Sequence, residues 1–310
     1  MTQAIKNARL ENHTTFKLGG PCPTLFHCQT PDDLEQTILQ LNQQKQPFVL
    51  IGGGSNLVVS DHGLDIAVVR YVSNTPLIER DGNDVIATAS TTLDDLAIFC
   101  VDEGLKGLNY TTGIPGTVGG AVVGNAGAWG RQVGDVLKSV TVLEPNGNKK
   151  TVGPDYCGFQ YRHSRLKETG DIVASVRFAL KPGDPITLAQ ERADILKKRA
   201  DKHPDLTTHP CAGSFFRNVE PTSKADRRQA AGWFLEEAGG KNLCAGGAQI
   251  FEKHANIIIK GPGCKAQDVH DLSQNMIKIV RDKFGFDLVR EVRFVGRFIS
   301  EGPVNPQGFW

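Results

Sequence analysis

The stretch GIPGTVGGAVVGNAGAWG, residues 113–130, alternates glycines with small and apolar residues, and its reading decides the fold. The chain carries 34 glycines among 310 residues, ten of them from Gly104 to Gly134. Their spacing is too dense and too irregular for a regular helix or strand. Ile114, Val118, Ala121, Val122 and Val123 are nevertheless apolar, so the segment is expected to be a buried loop. Backbone without Cβ atoms can approach a large flat ligand closely, and buried glycine loops usually wrap something. A second loop has the same character. Phe48–Ile51 reads as a short strand that stops at Gly52, Gly53, Gly54, Ser55 and Asn56, and Leu57–Val59 reads as the next strand. Three glycines followed by a hydroxyl and an amide outline a cradle for pyrophosphate, although a plain turn between strands has the same outline. The dinucleotide fingerprint GxGxxG is broken by Leu57, and no GxxxxGK[ST] loop exists.

Composition narrows the classes further. At roughly 150 residues per domain, 310 residues predict about two domains and leave room for large cores. Lysine and arginine number 35 against 34 aspartates and glutamates, so no net field draws in nucleic acid or an anionic membrane surface. Seven cysteines without a CxxC pair, and no His/Cys pattern of metal-ligand spacing, read as reduced, buried thiols in a cytoplasmic protein with no metal. The N-terminal residues lack an apolar signal core and no run of about 18 apolar residues occurs, so secretion and membrane spanning find no support.

Periodicity predicts a helix of about 13 residues after a Thr30 cap, with Leu34, Ile38 and Leu41 on one face. Strands are expected at Leu64–Val69, Asp84–Ala89, Val136–Leu143 and Asp171–Ala179. A helix capped by Thr92 and stopped at Gly104 carries Leu93, Leu96, Ala97 and Cys100, and a polar helix covers Leu188–Ala200. A boundary falls at His203-Pro204. Beyond it come a helix around Ala230–Ala238, a strand at Asn256–Lys260, an amphipathic helix with Val269, Leu272, Met276 and Ile279 ending at Gly285, and a final strand at Val289–Val295.

The glycine stretch, together with IGGGSNLVV at 51–59, YRHS at 161–164, AGSFFRN at 212–218, AGWFLEEAG at 231–239, GGAQIFEKHAN at 246–256 and REVRFVG at 290–296, resembles the UDP-N-acetylenolpyruvoylglucosamine reductase family, in its shorter subtype. The motifs keep their order across residues 12–296. The resemblance implies an α+β protein with the FAD-binding fold of vanillyl-alcohol oxidase (PCMH) type. Its parts would be one FAD-binding subdomain at 1–72, a second at 73–204 and a substrate-binding domain at 205–310, with the last strand able to return to the first subdomain. It implies FAD and NADPH as cofactors and UDP-N-acetylglucosamine enolpyruvate as substrate. Hydride would reach the vinyl carbon through FAD, the resulting enolate would be protonated, and UDP-N-acetylmuramate would be formed for peptidoglycan synthesis.

Site residues follow from the same motifs. Ser214 matches the proton donor to the enolate carbon, Arg162 the arginine that stabilises the developing enolate, and Glu291 the carboxyl that orients the substrate carboxylate or supplies a proton. Outside the motifs they read as a turn-capping serine, a loop arginine and one charge of a solvated face with Arg290 and Arg293. Gly52, Gly53, Gly54, Ser55 and Asn56 would hold the FAD pyrophosphate. Gly113, Ile114, Pro115, Gly116, Gly119, Gly120, Asn125 and Gly127 would line the flavin ring and its ribityl arm. Asn218 and Gln249 would approach the nucleotide sugar. Lys202 closes the basic run Lys197, Lys198, Arg199, which would meet the diphosphate or form a solvated helix face, and His254 is expected to be structural. Arg217-Asn218-Val219 replaces the family's Lys-Asn-Pro, and Leu166, His203 and Phe251 also depart from its usual residues; these bear on substrate affinity more than on chemistry. Two other readings remain beside this one: a flavin oxidase of the same fold acting on an alcohol or sugar, and a flavin- or nucleotide-binding protein without activity.

Overall fold

Helix α1 (Pro31–Gln43) starts for reasons local to its first residues. The Thr30 hydroxyl accepts from the Asp33 amide, the Asp33 carboxylate accepts from the Thr30 amide, and Pro31 supplies a helical φ in the first turn. In the computed structural model, which describes residues 2–220, 228–299 and the backbone of 302–304, α1 buries Leu34, Ile38 and Leu41. The expected third domain runs on to residue 310, and residues 221–227, 300–301 and 305–310 of it lie outside this description.

The first sheet contains β1 (Gln3–Arg9), β2 (Pro21–Cys28), β3 (Phe48–Ile51) and β5 (Ala67–Tyr71) in the order β1–β2–β5–β3, while β4 (Leu57–Val59) leaves it. Alternation divides its side chains between two cores: Leu50, Val69 and Tyr71 face the larger one, and Val49, Ile51 and Val68 a smaller one. β1 and β2 were not expected from sequence, because β1 has mostly exposed residues and no clean alternation. The strand foreseen at 64–69 is shifted to Ala67–Tyr71.

The second sheet is antiparallel, with β6 (Ile78–Asp81), β7 (Asp84–Thr88), β8 (Leu137–Leu143), β9 (Lys149–Val152) and β10 (Ile172–Ala179) in the order β9–β8–β10–β7–β6. Thr92 caps α2 (Leu93–Asp102) through the Asp95 amide. The stretch expected to be an irregular loop instead contains a helix, α3 (Val118–Gly124). Thr117 caps it, Asn125 ends it at φ +45°, and Val118, Ala121 and Val122 are buried in the larger core. That burial outweighs a helix cost of about 1 kcal/mol per glycine. Helix α4 (Pro185–Lys202) is longer than foreseen because Asp184 caps it and Pro185 occupies its first turn.

In the third part, β11 (Cys211–Ser214), β12 (Ala248–Phe251) and β13 (His254–Lys260) form an antiparallel sheet in the order β11–β13–β12, edged by residues 244–245. It packs against α5 (Ala231–Glu237) and α6 (Ala266–Phe284), and α6 ends at Gly285 as foreseen. The last expected strand is displaced to β14 (Arg293–Phe298), since the amides of Glu291 and Val292 both turn to the Phe215 carbonyl. β14 pairs in parallel with β4, Arg293 opposite Leu57. This pair lies between cores, with Val58 and Phe294 facing the third part and Leu57, Val59 and Val295 the first. The end of the first glycine loop is thereby brought to the segment that carries Glu291.

Candidate active site

The loops at 52–56 and 113–117 touch along their length. The Ser55 hydroxyl donates to the Pro115 carbonyl at 3.0 Å. A Cβ on Gly53 would stand 3.2 Å from Gly116 Cα, and one on Gly52 2.5 Å from Thr117 Oγ1. Gly116, at φ +123°, leaves room for Ser55, and Gly54, at φ +64°, lies where a side chain would strike the His13 carbonyl. A crevice between the first two sheets is lined by Gly52, Tyr71, Ala89, Thr117, Gly119 and Gly120.

The glycines have different uses. Gly119 is close-packed by the protein: its amide donates to the Ala89 carbonyl at 3.0 Å and a Cβ would stand 2.9 Å from Ala89 Cβ. Gly120 is exposed, and a Cβ there would meet only Thr117 Oγ1, at 3.6 Å. Above Gly120 the space is open, as a flat ligand requires. Leu196 and Arg199 occupy the space beside Gly113, and the cross-strand Arg131 carbonyl approaches Gly127. Ile114 is half-buried against the larger core, and Pro115 is exposed. The Asn125 amide is taken by protein, donating to Gln132 and the Gln160 carbonyl and accepting from the Gly134 amide. Protein packing therefore accounts for the residue at Gly113, Gly119, Asn125 and Gly127, and equally for the missing side chains of Gly52, Gly53, Gly54 and Gly116, whereas Gly120 faces open space.

The three expected catalytic residues gather at the end of these loops. Arg162 Nε lies 3.0 Å from Glu291 Oε1, and another guanidinium nitrogen donates to the Gly127 carbonyl at 2.7 Å. Arg162 has φ +55°, a left-handed conformation that a non-glycine residue keeps only when its surroundings hold it. The Lys167 ammonium does so in part, donating to the Arg162 carbonyl at 2.8 Å. The Glu291 amide donates to the Phe215 carbonyl at 2.9 Å, next to Ser214, and the Asn56 side-chain amide donates to the Glu291 carbonyl at 3.0 Å. Ser214 follows Gly213 at φ +75°, in a register shift of β11 against β13, a bulge of the kind that re-aims a side chain.

Charge concentrates here although the whole chain is near neutral. Arg162, Lys167 and Arg217 act on Glu291, and Arg293 acts on Lys167 and Arg217. Burial, then Arg293 and Arg217, push Lys167 down to about 8. Burial pushes the Glu291 carboxyl above the usual range against the pull of Arg162, Lys167 and Arg217. Such fixed cations suit a bound carboxylate and negative charge developing beside it.

The expected substrate residues are spread more widely. The Asn218 amide donates to the Tyr161 hydroxyl at 3.3 Å, and its side-chain oxygen accepts from Ala231 at the start of α5. Gln249 is exposed on β12 in register with Ile259, which pairs with Cys211, whereas Ser214 pairs with Ile257. Lys202 is exposed at the end of α4. In the same basic run Arg199 turns inward, its guanidinium 5.2 Å from the Trp129 ring. His254 accepts from the Asn256 amide at 3.2 Å, and Asn256 in turn holds both backbone groups of Phe216. Lys167, Arg217 and Arg293 were not singled out from sequence as site residues; Arg217 and Arg293 lie in the AGSFFRN and REVRFVG motifs, and Lys167 lies in none.

Two glycine loops closed on each other beside an open crevice, with a guanidinium–carboxyl site at their end, define an FAD-binding protein, and residues 23–153 match a family model described as FAD binding domain. Residues 204–295 match the model of the UDP-N-acetylenolpyruvoylglucosamine reductase C-terminal domain. The chain is 36% identical to the UDP-N-acetylenolpyruvoylglucosamine reductase of Carboxydothermus hydrogenoformans over 294 residues, 94% of each chain. It is 35% identical to that of Lactobacillus acidophilus over 288 residues, 93% of each chain. The crystal structure of UDP-N-acetylenolpyruvylglucosamine reductase from Thermus caldophilus matches with a TM-score of 0.77 at 29% identity, covering 95% of this chain and 98% of that one. The chain belongs to the UDP-N-acetylenolpyruvoylglucosamine reductase family. Its fold is the α+β FAD-binding fold of vanillyl-alcohol oxidase type. The open face of Gly120 and the contact between the two loops fit FAD.

Proposed function

We propose that this protein reduces UDP-N-acetylglucosamine enolpyruvate to UDP-N-acetylmuramate with NADPH and bound FAD, a step of peptidoglycan synthesis carried out in the cytoplasm. The observation that carries this reading is the Arg162–Glu291 pair at 3.0 Å, next to Ser214 and tied by Asn56 to the first glycine loop. FAD held at Gly52–Asn56 and along Pro115, Gly116 and Gly120 supplies hydride relay from NADPH to the vinyl carbon. The remaining work falls to side chains. Arg162 faces the substrate carboxylate, where charge grows as the double bond accepts hydride. Ser214 delivers a proton to the adjacent carbon, so that the alkene gains one hydride and one proton and NADPH leaves as NADP⁺. Glu291 orients the substrate carboxyl against Arg162 or shares in that proton transfer. Asn218 serves the nucleotide sugar, with Gln249 and Lys202 at its periphery. Residues 1–72 and 73–204 serve as FAD-binding subdomains and 205–310 as the substrate-binding domain, β14 returning to pair with β4. No helix among the described residues is long and apolar enough to cross a membrane.

Two measurements test this reading. Protein purified with saturating FAD should absorb near about 450 nm, the band of an oxidised flavin. It should oxidise NADPH beyond one equivalent per bound flavin only when the enolpyruvyl nucleotide is present. An absent flavin band, or oxidation sustained by oxygen without the nucleotide, overturns it, and the second result favours the oxidase.

The contrast between adjacent glycines gives a sharper test of the cofactor face. Gly120→Val should leave unfolding free energy within about 1 kcal/mol of the parent while weakening FAD binding about 100-fold or more, a loss of about 2.7 kcal/mol. Gly119→Ala should cost about 1–3 kcal/mol of stability by overpacking Ala89. Urea unfolding and flavin fluorescence titration separate the two, and unchanged FAD affinity in Gly120→Val removes Gly120 from the cofactor face.

A further inference from the structure

Lys167 sits on the single turn Leu166–Thr169, five residues beyond Arg162, and its side chain folds back to donate to the Arg162 carbonyl at 2.8 Å. The charged groups facing it come from every segment that meets there: Arg162 from its own loop, Arg217 after β11, Glu291 before β14 and Arg293 in β14. Of its other charged neighbours along the chain, His163 and Glu168 pair with each other at 3.1 Å, and Arg165 lies over the Tyr156 ring at 5.3 Å. Among the described residues, Lys167 thus faces three guanidinium groups and one carboxylate. Burial and Arg217 draw Arg293 down as well, to about 9, but its delocalised guanidinium starts above about 12 and holds its proton more firmly than the ammonium, so Lys167 is the first member of the set to yield.

We propose that Lys167 is a positioning residue that couples proton uptake to carboxylate binding: it holds the left-handed Arg162 turn and takes a proton from solvent when an anion joins the cluster. The inference deepens the proposed function and rests on its placement of the substrate carboxylate at Arg162. With no anion present, repulsion from Arg293, Arg217 and Arg162 and the loss of hydration disfavour the ammonium, bringing Lys167 down to about 8. A carboxylate entering the cluster opposes that repulsion and favours the charged form. Binding therefore takes up a proton above pH 8 and must weaken as pH rises through that range. The neutral amine still donates to the Arg162 carbonyl, but less strongly than the ammonium.

Isothermal titration of FAD-loaded enzyme with UDP-N-acetylmuramate, in two buffers of different ionisation enthalpy, counts the protons. Wild type should take up about half a proton or more per site at pH 8.5 and little at pH 6.5. Lys167→Arg keeps charge and donor but does not titrate, so it should bind with affinity within about tenfold of wild type, with that uptake abolished and the alkaline fall of kcat/KM flattened. Lys167→Met should lower kcat/KM about 10–100-fold, mainly through KM, with its FAD spectrum unchanged. Uptake that survives in Lys167→Arg belongs to Glu291 or Arg293 and overturns the proposal, as does wild type with no uptake at pH 8.5. Because wild type and Lys167→Arg decide the matter, poor folding of Lys167→Met does not rescue it. Failure of wild type to reduce the enolpyruvyl nucleotide defeats the proposed function itself, whereas normal turnover without residue-167-dependent uptake defeats only the role of Lys167.

Discussion

Ser214→Ala should consume NADPH normally in its first turnover yet form product about 10²–10⁴-fold more slowly, the range expected for loss of one positioned general acid. The geometry makes the two halves separable. Ser214 lies in β11 beyond the bulge at Gly213, whereas the residues proposed to hold FAD lie at 52–56 and 115–120. Its neighbours are held by backbone: Phe215 donates to the Asn256 carbonyl and accepts from Glu291, and neither bond involves the serine hydroxyl. The substitution therefore removes an acid without moving Arg162 or Glu291. A serine hydroxyl is weakly acidic by itself, so the cations around Glu291 must favour the alkoxide left after transfer. Ser214→Cys supplies a more acidic donor of similar shape and should recover part of the loss. Rapid mixing with NADPH alone, followed by mixing with the enolpyruvyl nucleotide, measures the halves in turn. Equal loss in both shows that Ser214 supports the fold of the site instead of its proton transfer.

What the sequence reveals about such a site depends on how local each cause is. The cap at Thr30 and the stop at Gly285 are visible because the atoms that make them lie within a few residues. Helix α3 was missed because helix propensity counts its glycines against it, while what stabilises it is the burial of Val118, Ala121 and Val122 against distant strands. β1 was missed for a related reason: its pairing with β2, not its own pattern, makes it a strand. Arg162, Ser214 and Glu291 were legible only through motifs, since the contacts that join them span residues 162, 215 and 291. The excess of glycine was legible as close backbone approach, but not in its division between protein partners at Gly119 and open space at Gly120. Lys167 offered no signal, because its role depends on a left-handed turn at Arg162 that a non-glycine residue seldom adopts.

Arg162→Met and Glu291→Gln should each lower kcat/KM about 10²–10³-fold, or about 3–4 kcal/mol of transition-state stabilisation, and the double variant should be no more than about tenfold worse than the poorer single one. The reason is that Arg162 and Glu291 are one structural unit. Their side chains meet at 3.0 Å with about a quarter of each exposed, so water screens the pair only partly. Removing the guanidinium leaves Glu291 between Lys167 and Arg217 without the group that directs it. Removing the carboxylate leaves Arg162 aimed by the Gly127 carbonyl and the Tyr161 ring, with no charged partner to direct it toward the substrate. In either single variant the substrate carboxylate loses its defined seat, and the second substitution has little left to disturb. Both should retain the flavin spectrum, because Asn56 contacts the Glu291 backbone carbonyl and not its side chain. Arg162→Lys is not a conservative control, since an ammonium cannot contact Glu291 and Gly127 with one planar group. Multiplying losses in the double variant would show that the residues act on separate steps, and a colourless Glu291→Gln protein would move Glu291 from chemistry to cofactor retention.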